Sequence, residues 1–399
     1  MRLLHTSDWH LGHTLKDVTR EHEHAAFLAW LLDACAREAP DVMVITGDVF
    51  DSATPPASAE RMWFELLAAA RRVRPGMDIV AIAGNHDSPA RLGAASAVLR
   101  ELGVHVVGGL PRHGDGAIDL DRVLIPVAGG RGLVAAVPFL RPIDISIDEA
   151  DPLAAVYGEV IAAARARRAP GQKLIVLGHL YLTGADPSLL SERRIAIGGQ
   201  EAASLRLFPD DIDYVALGHM HRAQRVGRDS VRYAGAPLAL AIDEAGYRHQ
   251  VVIVDLGERA EPRALDVPQT NGIVRIAGSL ELALAAITEL PARDDGPRPY
   301  LEVVVRLDRP EPRLRQIVEA ALDGKHARLI QLHQELTGDG AALGDRVSAR
   351  RLAELDPREV FGKLWARDHG EPPSAAVQGA FDRLLAEVRG DLHDPAGAS

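Results

Sequence analysis

The sequence predicts an α/β layered fold, and three observations carry that expectation. Short β-branched runs alternate with amphipathic helical stretches over the first two-thirds of the chain. Those runs end in polar clusters, most of them straight after a glycine. In α/β sheets, sites gather at the carboxyl ends of strands. A second, shorter alternation follows "DVPQTNG", near position 268.

In order, "RLLHTSD" reads as a strand and "EHAAFLAWLLDACARE" as a helix. "DVMVITGD" is a strand, "SAERMWFELLAAARRV" a helix and "MDIVAIAGNHD" a strand, with "KLIVLGH" and "DYVALGHMH" as later strands. Beyond the boundary, "IVRIAGSLELALAAITEL" and "PYLEVVVRLDRPEPRLRQIVEAALDGKHARLIQLHQEL" read as strand-helix-strand-helix-strand, a small separate α+β unit. "TGDGAALGDR" is a linker, and "LDPREVFGKLWARDHGEPPSAAVQGAFDRLLAEV" reads as two helices around a loop. The expected domains are therefore 1–268, 269–337, a linker at 338–350 and a helix-loop-helix at 351–392. Asp356, Pro357 and Glu359 supply an N-cap, a proline at N1 and an acidic N3 residue. Phe361, Leu364 and Trp365 then form one helical face, and Phe381, Leu384, Leu385 and Val388 another. Two short helices cannot easily bury both faces alone, so docking on a partner helix is the functional reading. Packing back on the small domain is the alternative.

Composition narrows the class. The 399 residues are 47% hydrophobic and 25% charged, an ordinary globular mix. No run approaches the roughly 18 apolar residues of a membrane span. His5, Asp8 and His10 interrupt any signal-peptide core. The single cysteine, Cys35, cannot form an internal disulfide, so a reducing, cytoplasmic setting is expected, with Cys35 as a small buried core residue. A net charge of −11 argues against a stand-alone nucleic-acid binder. "DGKH" and "FGKL" lack the G-x-x-x-x-G-K-[ST] frame, so any ATP dependence has to come from another chain.

The chemistry lies in the strand ends. Asp8 and His10 stand two apart, and in an extended segment residues i and i+2 point the same way, so both aim at one point. "TGDVFD" adds Asp48, "AGNHDS" adds Asn85 and His86, "LGHL" adds His179, and "LGHMH" adds His219 and His221. Any one of these motifs by itself is a turn. The ordered set, at successive strand ends, points to a metal-dependent site. Mixed His, Asp and Asn donors suit a borderline-hard divalent ion such as manganese better than thiolate-loving zinc. Asp51 and Asp87 read as supporting or turn-capping residues. His22 and His24 in "REHEHAAF" read as surface or capping residues, and His13 as either a phosphate contact or a plain loop residue.

The ordered set resembles the calcineurin-type metallophosphoesterase superfamily. The segments "LLHTSDWHLG", "GDVFDSATPP", "AGNHDS", "VPFLRP", "GHLYLTGA" and "ALGHMHRAQ…VRYAGAPLALAIDE" are similar to the SbcD family, the nuclease subunits of bacterial SbcC–SbcD complexes. That resemblance implies a four-layer β-sandwich flanked by helices at 1–268 and a capping domain at 269–337. It implies two ions, with Asp48 as the bridge. Asp8, His10 and His221 would complete one site, and Asn85, His179 and His219 the other. His86 would be the transition-state stabiliser or proton donor; the plainer alternative is a supporting histidine that orients Asn85 or another ligand. It further implies DNA cleavage with a coiled-coil ATPase of the SbcC type, ATP acting only through that partner. A homodimer of the nuclease subunit and nucleoid-associated activity are part of the same expectation. A small-molecule or cyclic-nucleotide phosphodiesterase explains the metal set and the acidity, but not the small domain or the tail. A scaffold with an inert site is disfavoured, because all seven donors are present.

Overall fold

The computed structural model describes residues 1–145, 149–187 and 202–336, together with 361–362, 364–366, 372–374 and 376–381. The chain divides into two compact units, Met1–Thr337 and Gly338–Ser399.

The first unit opens with β1 (Arg2–Thr6), a small hairpin of β2 (Thr14–Leu15) and β3 (Val18–Thr19), and α1 (Glu21–Glu38). There follow β4 (Val42–Thr46), α2 (Ala57–Val73), β5 (Asp78–Ile82), the short α3 (Pro89–Gly93) and α4 (Ser96–Glu101), and β6 (Val104–Val107). Next come α5 (Leu120–Val123), β7 (Leu124–Val127), β8 (Gly132–Ala136), α6 (Pro152–Arg167), β9 (Lys173–His179) and β10 (Tyr214–Gly218). The large domain closes with β11 (Gln224–Val226), β12 (Arg228–Tyr233), β13 (Gln250–Leu256) and β14 (Ala260–Asp266).

Two six-stranded sheets result, ordered β14-β13-β1-β4-β5-β6 and β11-β12-β10-β9-β8-β7. In the first, β1, β4, β5 and β6 run parallel, and β13 pairs antiparallel with β1, Leu4 opposite Ile253. In the second, β8, β9, β10 and β12 run parallel, with antiparallel β7 and β11 at the edges. Strand alternation sets the layers. Leu3, Val42, Val44, Val80 and Ile82 share one buried cluster with Val134, Val176, Val215 and Leu217 of the second sheet. The intervening residues Leu4, Met43, Ile45, Ile79 and Ala81 pack with Phe27 and Leu31 of α1 and Trp63 and Leu67 of α2. On the second sheet, α6 starts where Asp151 accepts the Ala154 N–H at 3.0 Å with Pro152 at N1, and it buries Val156, Tyr157 and Val160. The helix-sheet-sheet-helix sandwich that the resemblance implies is the architecture found.

The stretch after position 268 is a three-stranded parallel sheet, β15 (Ile273–Ser279), β16 (Tyr300–Leu307) and β17 (Arg328–Leu336), with α7 (Leu280–Thr288) and α8 (Leu314–Ala321) as crossovers. Leu301, Val303 and Val305 pack with Ala283 and Ile287 of α7 and Leu314 and Val318 of α8. On the opposite face Tyr300 joins Leu15 and Val18 of the hairpin.

In the second unit, residues 361–362, 364–366 and 376–381 are helical. Phe361 stacks on Phe381 with ring centroids 4.1 Å apart and planes 5° from parallel, and lies 5.8 Å from the Trp365 ring. The two aromatic faces thus cover one another in part, while Leu364 stays exposed. The expected linker at 338–350, the cap residues Asp356, Pro357 and Glu359, and Leu384, Leu385 and Val388 lie outside the described residues. Among the described residues, no helix is long and apolar enough to cross a membrane.

One local expectation fails. His24 is not a surface residue but is fully buried, beside Glu23, on the inner face of α1. Arg20 pairs with Glu23 through Nε at 2.8 Å and Nη2 at 2.7 Å. Burial pushes His24 down to about 3, and among the described residues neither of its ring nitrogens has a hydrogen-bond partner. His22 remains at the edge, where its Nε2 meets Asn271 Oδ1 at 2.8 Å. Cys35 is buried, and burial raises its thiol to about 12.

Candidate metal centre

The carboxyl ends of β1, β4 and β5, neighbours in one sheet, face the carboxyl ends of β9 and β10, neighbours in the other. The polar residues at or just after those ends are Asp8 and His10, Asp48, Asn85 and His86, His179, and His219 and His221. Because each group of strands is parallel, all five ends open on the same edge of the sandwich.

Asp8, His10 and His221 offer donor atoms within 4.8 Å of one another, as do Asp48, His179 and His219. Asn85 Oδ1 lies 3.0 Å from His179 Nε2 and 3.1 Å from His219 Nδ1. Asp48 Oδ2 lies 3.3 Å from His179 Nε2 and 3.6 Å from His10 Nε2, between the two groups. All seven side chains suggested by the sequence therefore meet in one place, and six of them are buried, Asn85 being half-buried.

The route by which Asp8 and His10 converge differs from the expectation. β1 ends at Thr6, and Asp8 and His10 take left-handed φ values of 53° and 47° instead of extended ones. The chain beyond β1 zips onto the chain beyond β4: Asp8 N donates to Gly47 O at 3.0 Å, His10 N to Asp48 O at 3.0 Å, and Leu11 N to Val49 O at 2.9 Å. Asp48 and His219 also have positive φ, 48° and 97°. Four non-glycine residues in that region at one site are backbone strain held in place by the surrounding sheets. Two of the preceding glycines are required by close approach. A Cβ on Gly84 would overlap Asp48 Oδ1, and one on Gly218 would overlap the Thr46 carbonyl.

Three of the four candidate ligand rings are oriented from behind. His10 Nδ1 meets Asp51 Oδ1 at 3.1 Å, His179 Nδ1 donates to Thr46 O at 2.8 Å, and His221 Nδ1 meets Glu244 Oε1 at 2.8 Å. Such partners fix which nitrogen faces inward. Asp87 accepts backbone N–H bonds from Gly84 at 2.9 Å, Phe50 at 2.9 Å and Val49 at 3.2 Å, pinning the loops after β4 and β5 together. Arg141, from "VPFLRP", donates to the Asp87 carbonyl at 2.7 Å and lies over the Phe139 ring, which in turn meets His179 edge-on. His86 Nδ1 donates to Asp51 O at 2.8 Å, and the His86 ring sits 4.8 Å from that of His10. His13 is half-buried, and burial pushes it down to about 4.

The electrostatics call for a cation. Burial raises the Asp8 carboxyl against the pull of His179 and His221. Burial also acts on His179, but the Asp48 carboxylate outweighs it and raises the imidazole to about 9. A proton there sits where an ion would satisfy the same carboxylates. Among the described residues, buried His10 Nε2 has no hydrogen-bond partner. An orphaned imidazole nitrogen facing two buried carboxylates, among oxygen and nitrogen donors with no thiolate, fits a divalent metal.

Glu244 is the residue that sequence reasoning missed. It lies 23 positions beyond His221 in "LALAIDE", with no spacing that ties it to a histidine. Asp51 and Asp87 were legible only as supporting residues, and Arg141 only as part of a segment.

Residues 1–223 match the calcineurin-like phosphoesterase family, and residues 269–369 match a family described as type 5 capsule protein repressor C-terminal domain. The SbcD subunit of the SbcCD nuclease of Rhodobacter capsulatus is 40% identical over 382 residues, covering 90% of this chain and 93% of that protein. The protein of the same name from Escherichia coli K12 is 30% identical, covering 98% and 99%. The Bacillus subtilis protein is 38% identical over 278 residues, covering 65% and 68%.

Proposed function

We propose two-metal hydrolysis of DNA phosphodiester bonds for this chain, which belongs to the calcineurin-like phosphoesterase family and, within it, to the SbcD family of SbcCD nuclease subunits. The observation that carries the reading is the convergence of seven donors from five strand ends, with His10 Nε2 orphaned among them. Asp8, His10 and His221 would hold one divalent ion, Asn85, His179 and His219 would hold the other, and Asp48 would serve both. Manganese suits this donor set best. When bound, such a pair activates water and clamps the attacking and leaving oxygens of an in-line displacement at phosphorus.

His86 is the catalytic residue of the chain itself. The Asp51 carbonyl only accepts, so Nδ1 of His86 carries a proton, and Nε2 is left to face substrate. In the imidazolium form Nε2 donates a proton to the leaving oxygen. Burial lowers His86 below its ordinary value, and the Asp48 charge opposes that. The negative charge of an arriving phosphodiester favours the protonated ring further. Asp51, Glu244 and the Thr46 carbonyl hold the ligand rings, and Asp87 and Arg141 hold the loop that carries Asn85 and His86.

The chain works with a coiled-coil ATPase of the SbcC type, docked through its C-terminal helices, and ATP acts only through that partner. It forms a homodimer in the complex. With its partner it is a double-strand exonuclease and alone a single-strand endonuclease, serving end processing and hairpin cleavage in replication and recombination in the cytoplasm. The partner carries part of the phosphate contact, which reconciles DNA binding with a net charge of −11. The test is cleavage of single-stranded DNA by the manganese-loaded chain, and of hairpin-ended duplex with the ATPase and ATP, beside Asp48→Asn. Cleavage by the wild type and its loss in a folded Asp48→Asn are expected. Hydrolysis of small phosphodiesters with no DNA cleavage in any combination overturns the reading.

A further inference from the structure

An unbroken chain of buried polar groups joins the small sheet to the metal centre. It starts at Tyr300, the first residue of β16, whose hydroxyl donates to Glu23 Oε1 at 2.6 Å. The Glu23 carboxylate takes both Nε and Nη2 of Arg20. Nη1 of Arg20 donates to the Ala239 carbonyl. That carbonyl shares its peptide group with the N–H of Leu240, which donates to Glu244 Oε2 at 2.7 Å. Glu244 Oε1 closes the chain on His221 Nδ1 at 2.8 Å.

Tyr300, Glu23 and Arg20 are each 1% exposed, Glu244 is 0% and His221 5%, so water does not compete along the path. Burying an ion pair such as Arg20–Glu23 is a poor way to gain stability, because desolvation offsets most of the attraction. What it does provide is fixed geometry. Hydrogen bonds in series polarise one another, and a peptide group with one bond on its oxygen and another on its N–H is well placed to do so. Apolar packing follows the same path: Tyr300 sits on Leu15 and Val18, in a hairpin that begins four residues after His10, and the Arg20 guanidinium lies over the Tyr300 ring at 5.9 Å.

We propose that Tyr300, Glu23 and Arg20 are positioning residues for His221, so that the polar chain starting at the first residue of β16 sets how tightly the centre would hold an ion on its His221 side. The inference rests on the reading of this cluster as a metal centre.

The test is manganese titration of the full-length chain by calorimetry, with EPR of the loaded centre. Tyr300→Phe keeps the ring and its packing and removes one donated proton. Glu23→Gln keeps the shape and removes the charge that holds Arg20. Direct partners of ligand histidines typically change metal affinity about 10–100-fold. For these more distant residues, a loss of about 3-fold in Tyr300→Phe and about 10-fold in Glu23→Gln is expected, at one of the two sites. The EPR spectrum should change with it. Asn271→Ala is the control: it breaks the His22–Asn271 bond, another tie between α1 and the small domain, together with the Asn271 Nδ2 bond to the Arg298 carbonyl, and removes no member of the polar chain. Its affinity should stay within about 2-fold of wild type. Wild-type affinity and spectrum in folded Tyr300→Phe and Glu23→Gln overturn the inference, as does an equal loss in Asn271→Ala. A wild-type chain that binds no manganese instead overturns the reading of the centre.

Discussion

The backbone N–H of His86 donates to Asp48 Oδ1 at 2.8 Å. The residue proposed as acid thus holds the proposed bridging carboxylate with its main chain, not with its ring. The two contributions of His86 can therefore be separated by mutation.

In His86→Ala the N–H to Asp48 is kept and the imidazole is lost. Two bound manganese ions and unchanged DNA affinity are expected, with cleavage slowed about 10²-fold or more. Metal analysis and single-turnover rates on the same sample decide it. Loss of an ion would make His86 a ligand.

Asp87→Ala leaves the N–H groups of Val49, Phe50 and Gly84 without their acceptor. An unsatisfied buried donor costs about 1–3 kcal/mol, so a loss of about 3 kcal/mol or more is expected in urea unfolding of the metal-free chain. Burial and the nearby Asp48 charge push Asp87 up to about 6. The N–H bonds are what keep its carboxylate usable. A loss under about 1 kcal/mol would mean that the loops after β4 and β5 are held by something else.

His179, raised to about 9 by Asp48 against the effect of burial, holds protons toward Thr46 O on one side and toward Asn85 and Asp48 on the other. Its Nε2 proton has to leave before that nitrogen faces an ion. The proton is present below about 9, so manganese binding near neutral pH should release it and strengthen as pH rises. Calorimetry in two buffers of different ionisation enthalpy measures the release. Affinity that does not change between mildly acidic and mildly basic buffer would contradict the assignment.

The Phe361–Phe381 stack defines the aromatic side of the C-terminal helices. A Phe361→Ala/Trp365→Ala double mutant removes two anchors, each worth about 2 kcal/mol or more at an interface. Cleavage of short single-stranded DNA by the isolated chain should survive, and co-purification with the ATPase and ATP-dependent duplex cleavage should collapse. Normal co-purification would place the partner elsewhere.

The sequence by itself marked several strands and helices of the large domain, the alternation of the small one, and the candidate donors at the strand ends. Apolar period and glycine-marked strand ends are local properties, so "DVMVITGD" reads as a strand that ends in Asp48 without knowledge of any other strand. Motif order then identified the superfamily. Tertiary structure alone decided how those ends meet. Asp8 and His10 converge through left-handed backbone held by the chain after β4, a constraint that pleat periodicity does not contain. His24, polar and near the start of a helix, is buried because α1 presents that face to the sheet. Glu244 reaches His221 across 23 residues, and Tyr300 reaches Glu23 across 277. Residue type and spacing carry no record of such pairs, because two buried polar groups find each other only after the sheets and hairpin have packed and removed water from between them.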